Sequence, residues 1–324
     1  MGFNQQKIFS LMILKLRRKL LITLIFGAGA SHGSGGCSPT PPPLGNDLFN
    51  ELTKLNGAFS MLDNSSKAIF SSEGFEAGMA TISNDSRIIN LLQKELACYI
   101  SKFSVKTDNA YIRLFNKLNS CIEHINIATL NYDLLIEQSL AHHSINFNYN
   151  TDNNGINVIK LHGSSNFLPK IPNGIVLSGN AMINCDSFVE GLETIAVSTS
   201  KEIESWCEDE TNSDLSPVIA MYAEGKRVVI NRNTIQSIQT KYSEFIASSQ
   251  LVVLVGIKYL SHDTHIWNPI IHTRPNLLII DPYPKNILDW AKDNSFDNIS
   301  VIEKSFDQSV WDITKAVHKN LFFT

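Results

Sequence analysis

The sequence predicts a doubly wound α/β fold, in which helices cover both faces of a parallel sheet. Short aliphatic runs that are apolar at successive positions are typical of strands buried on both faces. Amphipathic segments with helical spacing lie between these runs, and such alternation indicates a parallel sheet with crossover helices. Together they favour a Rossmann-like fold for residues 20–324, preceded by an N-terminal arm at residues 1–19.

The predicted strands are aliphatic runs that end in or just before glycine, asparagine or aspartate. They are 21–27 (continuing from Leu20), 125–131, 156–163, 227–231, 251–256, 276–281 and 298–305. The predicted helices between and after them place leucine, isoleucine or aromatic residues on one face. They are 45–55, 131–143, 234–249 and 305–323.

Two regions depart from this alternation. Residues 56–124 have mostly helical patterns, with "SRIINLLQKELACYISKF" and "AYIRLFNKLNS" as the clearest segments, and predict a helical insertion. The aromatic residues of 59–75 are expected to form its core rather than a base-stacking surface. Residues 181–224 are polar and acidic, and predict a small irregular module or a mobile loop.

Composition limits the classes of function. A chain of 324 residues with 43% hydrophobic content can bury a sizeable core, and its net charge of −4 gives no electrostatic footprint for nucleic acid. The short basic cluster Lys15–Lys19 is better explained as a solvated arm than as a binding patch. The 5 cysteines are scattered and never spaced C-x-x-C, which argues against disulfides and a structural zinc site and favours a reduced, cytoplasmic compartment.

The stretch "LLITLIFGAGASHGSG" (21–36) follows basic residues and could be part of a signal peptide or a buried strand. The apolar run Leu20–Phe26 is shorter than the roughly 7–15 residues of a signal-peptide core. No stretch approaches the roughly 20 apolar residues that span a bilayer. The strand interpretation is therefore favoured, and no membrane association is expected.

Glycines follow this strand directly, at Gly27, Gly29 and Gly33. Glycine permits positive φ and lets backbone N–H groups approach a pyrophosphate, which predicts a phosphate-binding turn. The spacing is G-x-G-x-x-x-G rather than the G-x-G-x-x-G of hydride-transfer enzymes, and no acidic residue ends a second strand about 20 residues later. A glycine turn needed for packing alone remains an alternative.

Polar residues stand near the carboxyl ends of three predicted strands, at Ser31, Asn131 and His162. In open α/β sheets ligands bind at this edge. Each residue also has a structural alternative. Asn131 could cap the helix that follows, Asp133 could sit in its first turn, and His162 could be a hydrogen-bonded core histidine.

The segment "HDTH" (262–265) has spacing typical of metal ligands, but no third ligand is evident in the sequence. We interpret it as the start of a helix, and no metal site is predicted.

Four motifs in order resemble the sirtuin-like NAD-consuming domain, namely "GAGAS", "TLNYD", "LHG" and "GIKYLSHD". The segments "GAGAS…PPLGNDL" and "NYDLLIE" are similar, more narrowly, to the branch found in bacterial antiphage defence proteins. The resemblance covers residues 21–170 and 250–282. Deacylating sirtuins carry a four-cysteine zinc ribbon that this cysteine spacing does not provide, so the resemblance favours NAD+ hydrolysis over deacylation.

The resemblance implies a role for each matching residue. Asn131 would hold the nicotinamide ribose and the attacking water, His162 would be the general base, and Asp133 would steady the site. The remaining residues would contact the rest of NAD+. The pyrophosphate and the nearby ribose would be bound by Gly27, Ala28, Gly29, Ala30 and Ser31. Thr129 and Leu130 would line the site. Gly256 and Asp281 would contact the adenosine end.

The resemblance implies a hydrolase that releases nicotinamide and ADP-ribose from NAD+ without a metal, acting as an NAD-depleting effector of antiviral defence by abortive infection. Such an activity requires restraint, so a homo-oligomer or a separately encoded partner is expected, such as an Argonaute-type sensor or an ATPase. Two alternatives remain open: ADP-ribosyl transfer or deacylation at the same site, and a non-catalytic sensor of NAD+ or ADP-ribose.

Overall fold

The computed structural model describes residues 21–82, 86–149, 155–174, 189–220 and 230–322. The predicted N-terminal arm 1–19 lies outside these ranges. The strands, in chain order, are β1 (Leu21–Phe26), β2 (Cys37–Ser38), β3 (Ser104–Val105), β4 (Ile125–Thr129), β5 (Phe147–Asn148), β6 (Ile156–Lys160), β7 (Phe167–Lys170), β8 (Glu193–Ala196), β9 (Ser249–Val255), β10 (Asn276–Ile280) and β11 (Ile299–Ile302).

The α-helices flank these strands. They are α1 (Ala28–His32), α2 (Gly45–Thr53), α3 (Asn64–Glu73), α4 (Phe75–Ile82), α5 (Ser86–Ile100), α6 (Ala110–Leu118), α7 (Leu135–His142), α8 (Ser200–Glu208), α9 (Arg232–Ser248), α10 (Thr264–Thr273), α11 (Lys285–Asp293) and α12 (Phe306–Phe322). Among the described residues no helix is both long and apolar enough to cross a bilayer.

The core of the molecule is a parallel sheet of 7 strands in the order β11-β10-β9-β1-β4-β6-β5. Its central strands β1 and β4 are buried almost throughout, because their aliphatic side chains are covered on both faces. This confirms the predicted α/β fold class. Register places Phe26 beside Thr129 and Val255, so the carboxyl ends of β1, β4 and β9 are level.

The predicted strands match this sheet with one exception. Residues 227–229 lie outside the described part of the chain, and Ile230 forms an isolated bridge with Val189 instead of joining the sheet. The short edge strand β5 and the antiparallel pair of β7 and β8 were not predicted. Both elements are short, so their sequence patterns are weak.

Residues 56–124 contain α3 to α6 and the short strand β3, which pairs with β2. Their aromatic side chains pack against one another, as the rings of Phe59 and Phe70 do with centroids 6.0 Å apart. Phe49 of α2 stacks on Phe70 with centroids 4.3 Å apart. Phe59 and Phe70 are buried, which confirms that these aromatics belong to a core.

The predicted small module at 181–224 has a described part, residues 189–220, that is only partly irregular. That part contains β8 and α8. Thr199 and Glu202 form a capping box that starts α8, with each side chain bonded to the other residue's backbone N–H. The polar and acidic composition obscured this helix.

Candidate functional site

The candidate site lies at the carboxyl edge of the sheet, where the turns that carry the predicted polar residues are found. Gly27 follows β1, Asn131 comes shortly after β4, and His162 shortly after β6. Gly256 follows β9, which neighbours β1 on its other side. The parallel order β9-β1-β4-β6 therefore brings these turns to one edge, where ligands of open α/β folds bind.

The glycines after β1 pack backbone to backbone against Gly256. A Cβ on Gly27 would come within 2.5 Å of the Gly256 carbonyl oxygen, and one on Gly29 within 2.9 Å. Gly256 itself has φ of +58°, and a Cβ there would overlap the backbone nitrogen of Ala30. The close approach of two turns requires these glycines, so packing is a reason for them whether or not a phosphate binds.

The backbone amides of the turn are partly engaged within the protein. The N–H groups of Gly27, Gly29 and Ala30 donate to the carbonyls of Val255, Gly256 and Gly27 at 3.0, 3.0 and 2.9 Å. A phosphate at this turn would therefore be met by other donors. The pyrophosphate role of residues 27–31, Ala28 included, stays a prediction.

Asn131 is oriented by tertiary contacts. Its Nδ2 donates to the carbonyl of Gly27 and to Ser31 Oγ, both at 2.9 Å, and its backbone N–H donates to Thr129 Oγ1 at 3.1 Å. Helix α7 begins at Leu135 with Leu134 as its N-cap, so the capping alternative for Asn131 is wrong. With both amide hydrogens engaged, Oδ1 is the atom that can accept a hydrogen bond from a ligand.

Ser31 connects this amide to a tyrosine that sequence analysis did not identify. The Ser31 Oγ lies 3.2 Å from the hydroxyl of Tyr111, and both side chains are buried. The Tyr111 ring packs against Phe26 and Phe306, with centroids 5.1 and 4.8 Å apart. Burial raises the pKa of Tyr111 well above its ordinary value, so the hydroxyl stays neutral. Its position on the apolar face of α6 was the available signal, since a buried tyrosine hydroxyl needs a partner.

Asp133 lies before α7 rather than in its first turn, which corrects the predicted position. Its Oδ1 accepts a hydrogen bond from the Leu135 N–H at 3.1 Å, and the side chain is buried. Burial raises the pKa of this carboxyl, while nearby Lys160 and a hydrogen bond from Ser31 act in the opposite direction. Asp133 thus belongs to the same buried network as Ser31.

A second residue that the sequence analysis did not identify is Lys160, which contacts this network through Asp133. Its side chain is 1% exposed, and Nζ donates to the backbone carbonyl of Asp133 at 2.5 Å. The same Nζ is 2.9 Å from Glu137 Oε1, which also accepts a hydrogen bond from the Tyr149 hydroxyl at 3.1 Å. A lysine between the aliphatic residues Ile159 and Leu161 of a predicted strand was the signal, because a buried lysine requires a partner.

His162 is 6% exposed, and its backbone carbonyl accepts a hydrogen bond from the Ala220 N–H at 2.8 Å. Its Nε2 lies 3.2 Å from Nε2 of His265. Asp263 belongs to the same cluster, in which one ligand atom from each of the three residues lies within 4.8 Å of the others. The fold thus places His162 beside Asp263 and His265 of "HDTH", and α10 begins at Thr264 as predicted.

The remaining predicted residues also lie near this edge. The Leu130 N–H donates to the carbonyl of Phe26 at 3.0 Å, and Thr129 Oγ1 donates to the same carbonyl at 3.0 Å. Asp281 follows β10, the strand next to β9, and its Oδ1 accepts a hydrogen bond from the Tyr283 N–H at 2.7 Å. Burial raises the pKa of Asp281. Its predicted contact with adenosine remains a prediction.

No protein-family model and no curated protein matches this chain. Several solved structures, however, are similar to this chain. A complex of a Sir2 homolog with NAD is 13% identical with a TM-score of 0.51, covering 96% of this chain and 94% of that chain. A Sir2 homologue mutant in complex with ADP-ribose is 13% identical with a TM-score of 0.52, and the match covers 97% of this chain and 98% of that chain. At this identity the likeness defines the class of fold: the chain has a sirtuin-like fold.

Proposed function

We propose that this protein is an NAD+ hydrolase that cleaves the bond between nicotinamide and ribose. The observation that carries the proposal is the orientation of Asn131 by Gly27 and Ser31 at the ligand-binding edge. Two structures of the same fold are complexes with NAD and ADP-ribose, which supports NAD+ as the substrate.

The residue types suit this reaction. Loss of nicotinamide develops positive charge on the sugar, and the neutral amide of Asn131 can position water and ribose hydroxyls through Oδ1 without adding a charge. His162 would act as the general base that accepts a proton from a ribose hydroxyl or from the attacking water. Asp133 would steady the network. Residues 27–31, Thr129 and Leu130 would surround the phosphates and ribose, with Gly256 and Asp281 at the adenosine end.

Hydrolysis is favoured over deacylation by the cysteines. The described cysteines are free and occur at Cys37, Cys98, Cys121 and Cys207, with none spaced as in a zinc ribbon. In the cell we propose a cytoplasmic NAD-depleting effector of antiphage defence. A homo-oligomer or a separately encoded sensor or ATPase would hold it inactive.

The experiment is an assay of NAD+ consumption by the purified chain, with products separated by chromatography. We expect nicotinamide and ADP-ribose from the wild type, and losses of roughly 100-fold or more in Asn131→Ala and His162→Ala, the scale of general acid–base contributions. Matched controls are Asn50→Ala and His142→Ala, whose side chains are exposed. Circular dichroism checks that all four variants are folded.

Other outcomes would overturn the proposal. NAD+ binding without turnover, over a wide range of protein concentration, would identify a sensor. ADP-ribose attached to protein instead of released would identify a transferase. Full activity in both Asn131→Ala and His162→Ala would place the chemistry elsewhere.

A further inference from the structure

A cluster at the same edge combines two imidazoles and a carboxylate from distant parts of the chain. His162 follows β6, whereas Asp263 and His265 lie at the start of α10, in the segment that follows β9. Strands β1 and β4 separate β9 from β6 in the sheet. The segment 256–265 therefore spans two intervening strands to bring Asp263 and His265 to His162.

The distances suit a metal ion. The Nε2 atoms of His162 and His265 are 3.2 Å apart, and the three ligand atoms all lie within 4.8 Å of one another. Zinc binds histidine nitrogen at about 2.0–2.1 Å, which places two ligand atoms of a tetrahedral site about 3.3–3.4 Å apart. Small side-chain adjustments would therefore seat an ion.

The surroundings suit a metal as well. His162 and Asp263 are 6% and 3% exposed, and His265 is half-buried. The Asp263 backbone is held by its own N–H, which donates to Leu260, and by its carbonyl, which accepts from Ile266 and Trp267. His262 Nε2 lies 3.7 Å from Asp263 Oδ1, so a further imidazole is close to this carboxylate.

We propose that His162, Asp263 and His265 form a binding site for a divalent transition metal, with Zn²⁺ as the reference ion. Two imidazoles and one carboxylate leave an open coordination position, as in three-ligand zinc sites. The site has a consequence that rests on the proposed function. A metal on Nε2 of His162 occupies the lone pair that would otherwise take a proton, so the bound ion inhibits hydrolysis.

Direct metal binding to the full chain tests the site independently of activity. Chelator-treated protein is titrated with Zn²⁺ by calorimetry and with Co²⁺ by visible absorption. We expect one ion per chain and four-coordinate cobalt bands. Affinity should fall at least about 100-fold in His265→Ala and Asp263→Asn, more than the roughly 10- to 100-fold lost when a residue that only orients a metal ligand is changed. His272→Ala, an exposed histidine on the same helix, is the matched control.

The inhibitory consequence is read from the ratio of hydrolysis rates with and without Zn²⁺, which does not depend on the basal rate. We expect a low ratio in the wild type, restored by chelator, and a ratio near one in His265→Ala. Asn131→Ala should lose hydrolysis but still bind Zn²⁺, so failure of the proposed function leaves the metal measurement intact. Absence of stoichiometric binding would overturn the site and leave a hydrogen bond between two imidazoles. Binding without inhibition would overturn the inhibitory role.

Discussion

The side-chain Nδ2 of Asn131 and the Oγ of Ser31 lie 2.9 Å apart, which joins the turn after β4 to the short helix after β1. The same Oγ lies 3.2 Å from the buried hydroxyl of Tyr111. The orientation of the proposed catalytic amide therefore depends on a hydrogen-bond chain that begins in the helical insertion.

Ser31→Ala should lower kcat/KM for NAD+ hydrolysis by about 5- to 10-fold, because one neutral hydrogen bond contributes about 1–1.5 kcal/mol to positioning Asn131. Steady-state kinetics measures the effect. Ser71→Ala, at an exposed serine of α3, is the control and should leave kcat/KM unchanged. An unchanged rate in Ser31→Ala would show that Gly27 alone orients the amide.

Tyr111→Phe should have a smaller effect. The phenyl ring keeps the contacts with Phe26 and Phe306. Only the hydroxyl is lost, and Ser31 still accepts from Asn131, so we expect a loss of stability of about 0.5–1.5 kcal/mol by urea unfolding. A loss several times larger would mean that the hydroxyl has partners beyond Ser31.

Gly256→Ala should destabilise the protein by about 2–5 kcal/mol, since it combines a left-handed backbone with steric overlap at Ala30. Gly45→Ala is the matched control. Gly45 is the first residue of α2, and a Cβ there would meet no described atom within 4 Å. Alanine at Gly45 should be neutral or stabilising by up to about 1 kcal/mol. Equal urea midpoints for the two variants would contradict the packing of the glycine turns.

Asp133→Asn should change how stability depends on pH. Because burial raises the pKa of Asp133 in the folded state, that state holds its proton more tightly than the unfolded chain, where the pKa is about 3.9. The free energy of unfolding therefore falls as pH rises above about 4, until the folded-state pKa is passed. Asparagine removes this contribution, so we expect a smaller fall between pH 4 and 7. An unchanged pH profile would mean that Asp133 titrates alike in both states.

Lys160→Met should cost about 3–5 kcal/mol, the scale for removing one partner of a buried ion pair, because it leaves the Glu137 carboxylate without its cation. The double variant Lys160→Met/Glu137→Gln should recover at least half of that loss, since the buried charge is then gone. Urea unfolding of both single variants and the double variant gives the coupling energy. Additive losses would show that the two residues act independently.

The sheet could be predicted because its strands are aliphatic on both faces, as in β1 and β4. The position of Ser31, Asn131 and His162 at one edge of the sheet followed from the parallel strand order. The start of α7 was misplaced because asparagine is a favoured cap, whereas tertiary contacts with Gly27 and Ser31 engage the Asn131 side chain.

Other features depend on contacts between residues far apart in the chain. His162 and His265 are separated by 103 positions, so no local pattern reveals their contact. Tyr111 and Lys160 each carried a local signal, a polar group among apolar neighbours. Only the folded chain shows that Tyr111 reaches Ser31 and that Lys160 reaches Asp133.

The contact of Lys160 with the Asp133 carbonyl restricts how this edge can move. Lys160 belongs to β6, the strand that precedes His162, while Asp133 belongs to the turn that carries Asn131. The Lys160 ammonium group links the two turns through this hydrogen bond, and its side chain is almost inaccessible to water. A deformation of this edge therefore has to displace both turns together, since separating them would leave the buried ammonium group without the Asp133 carbonyl.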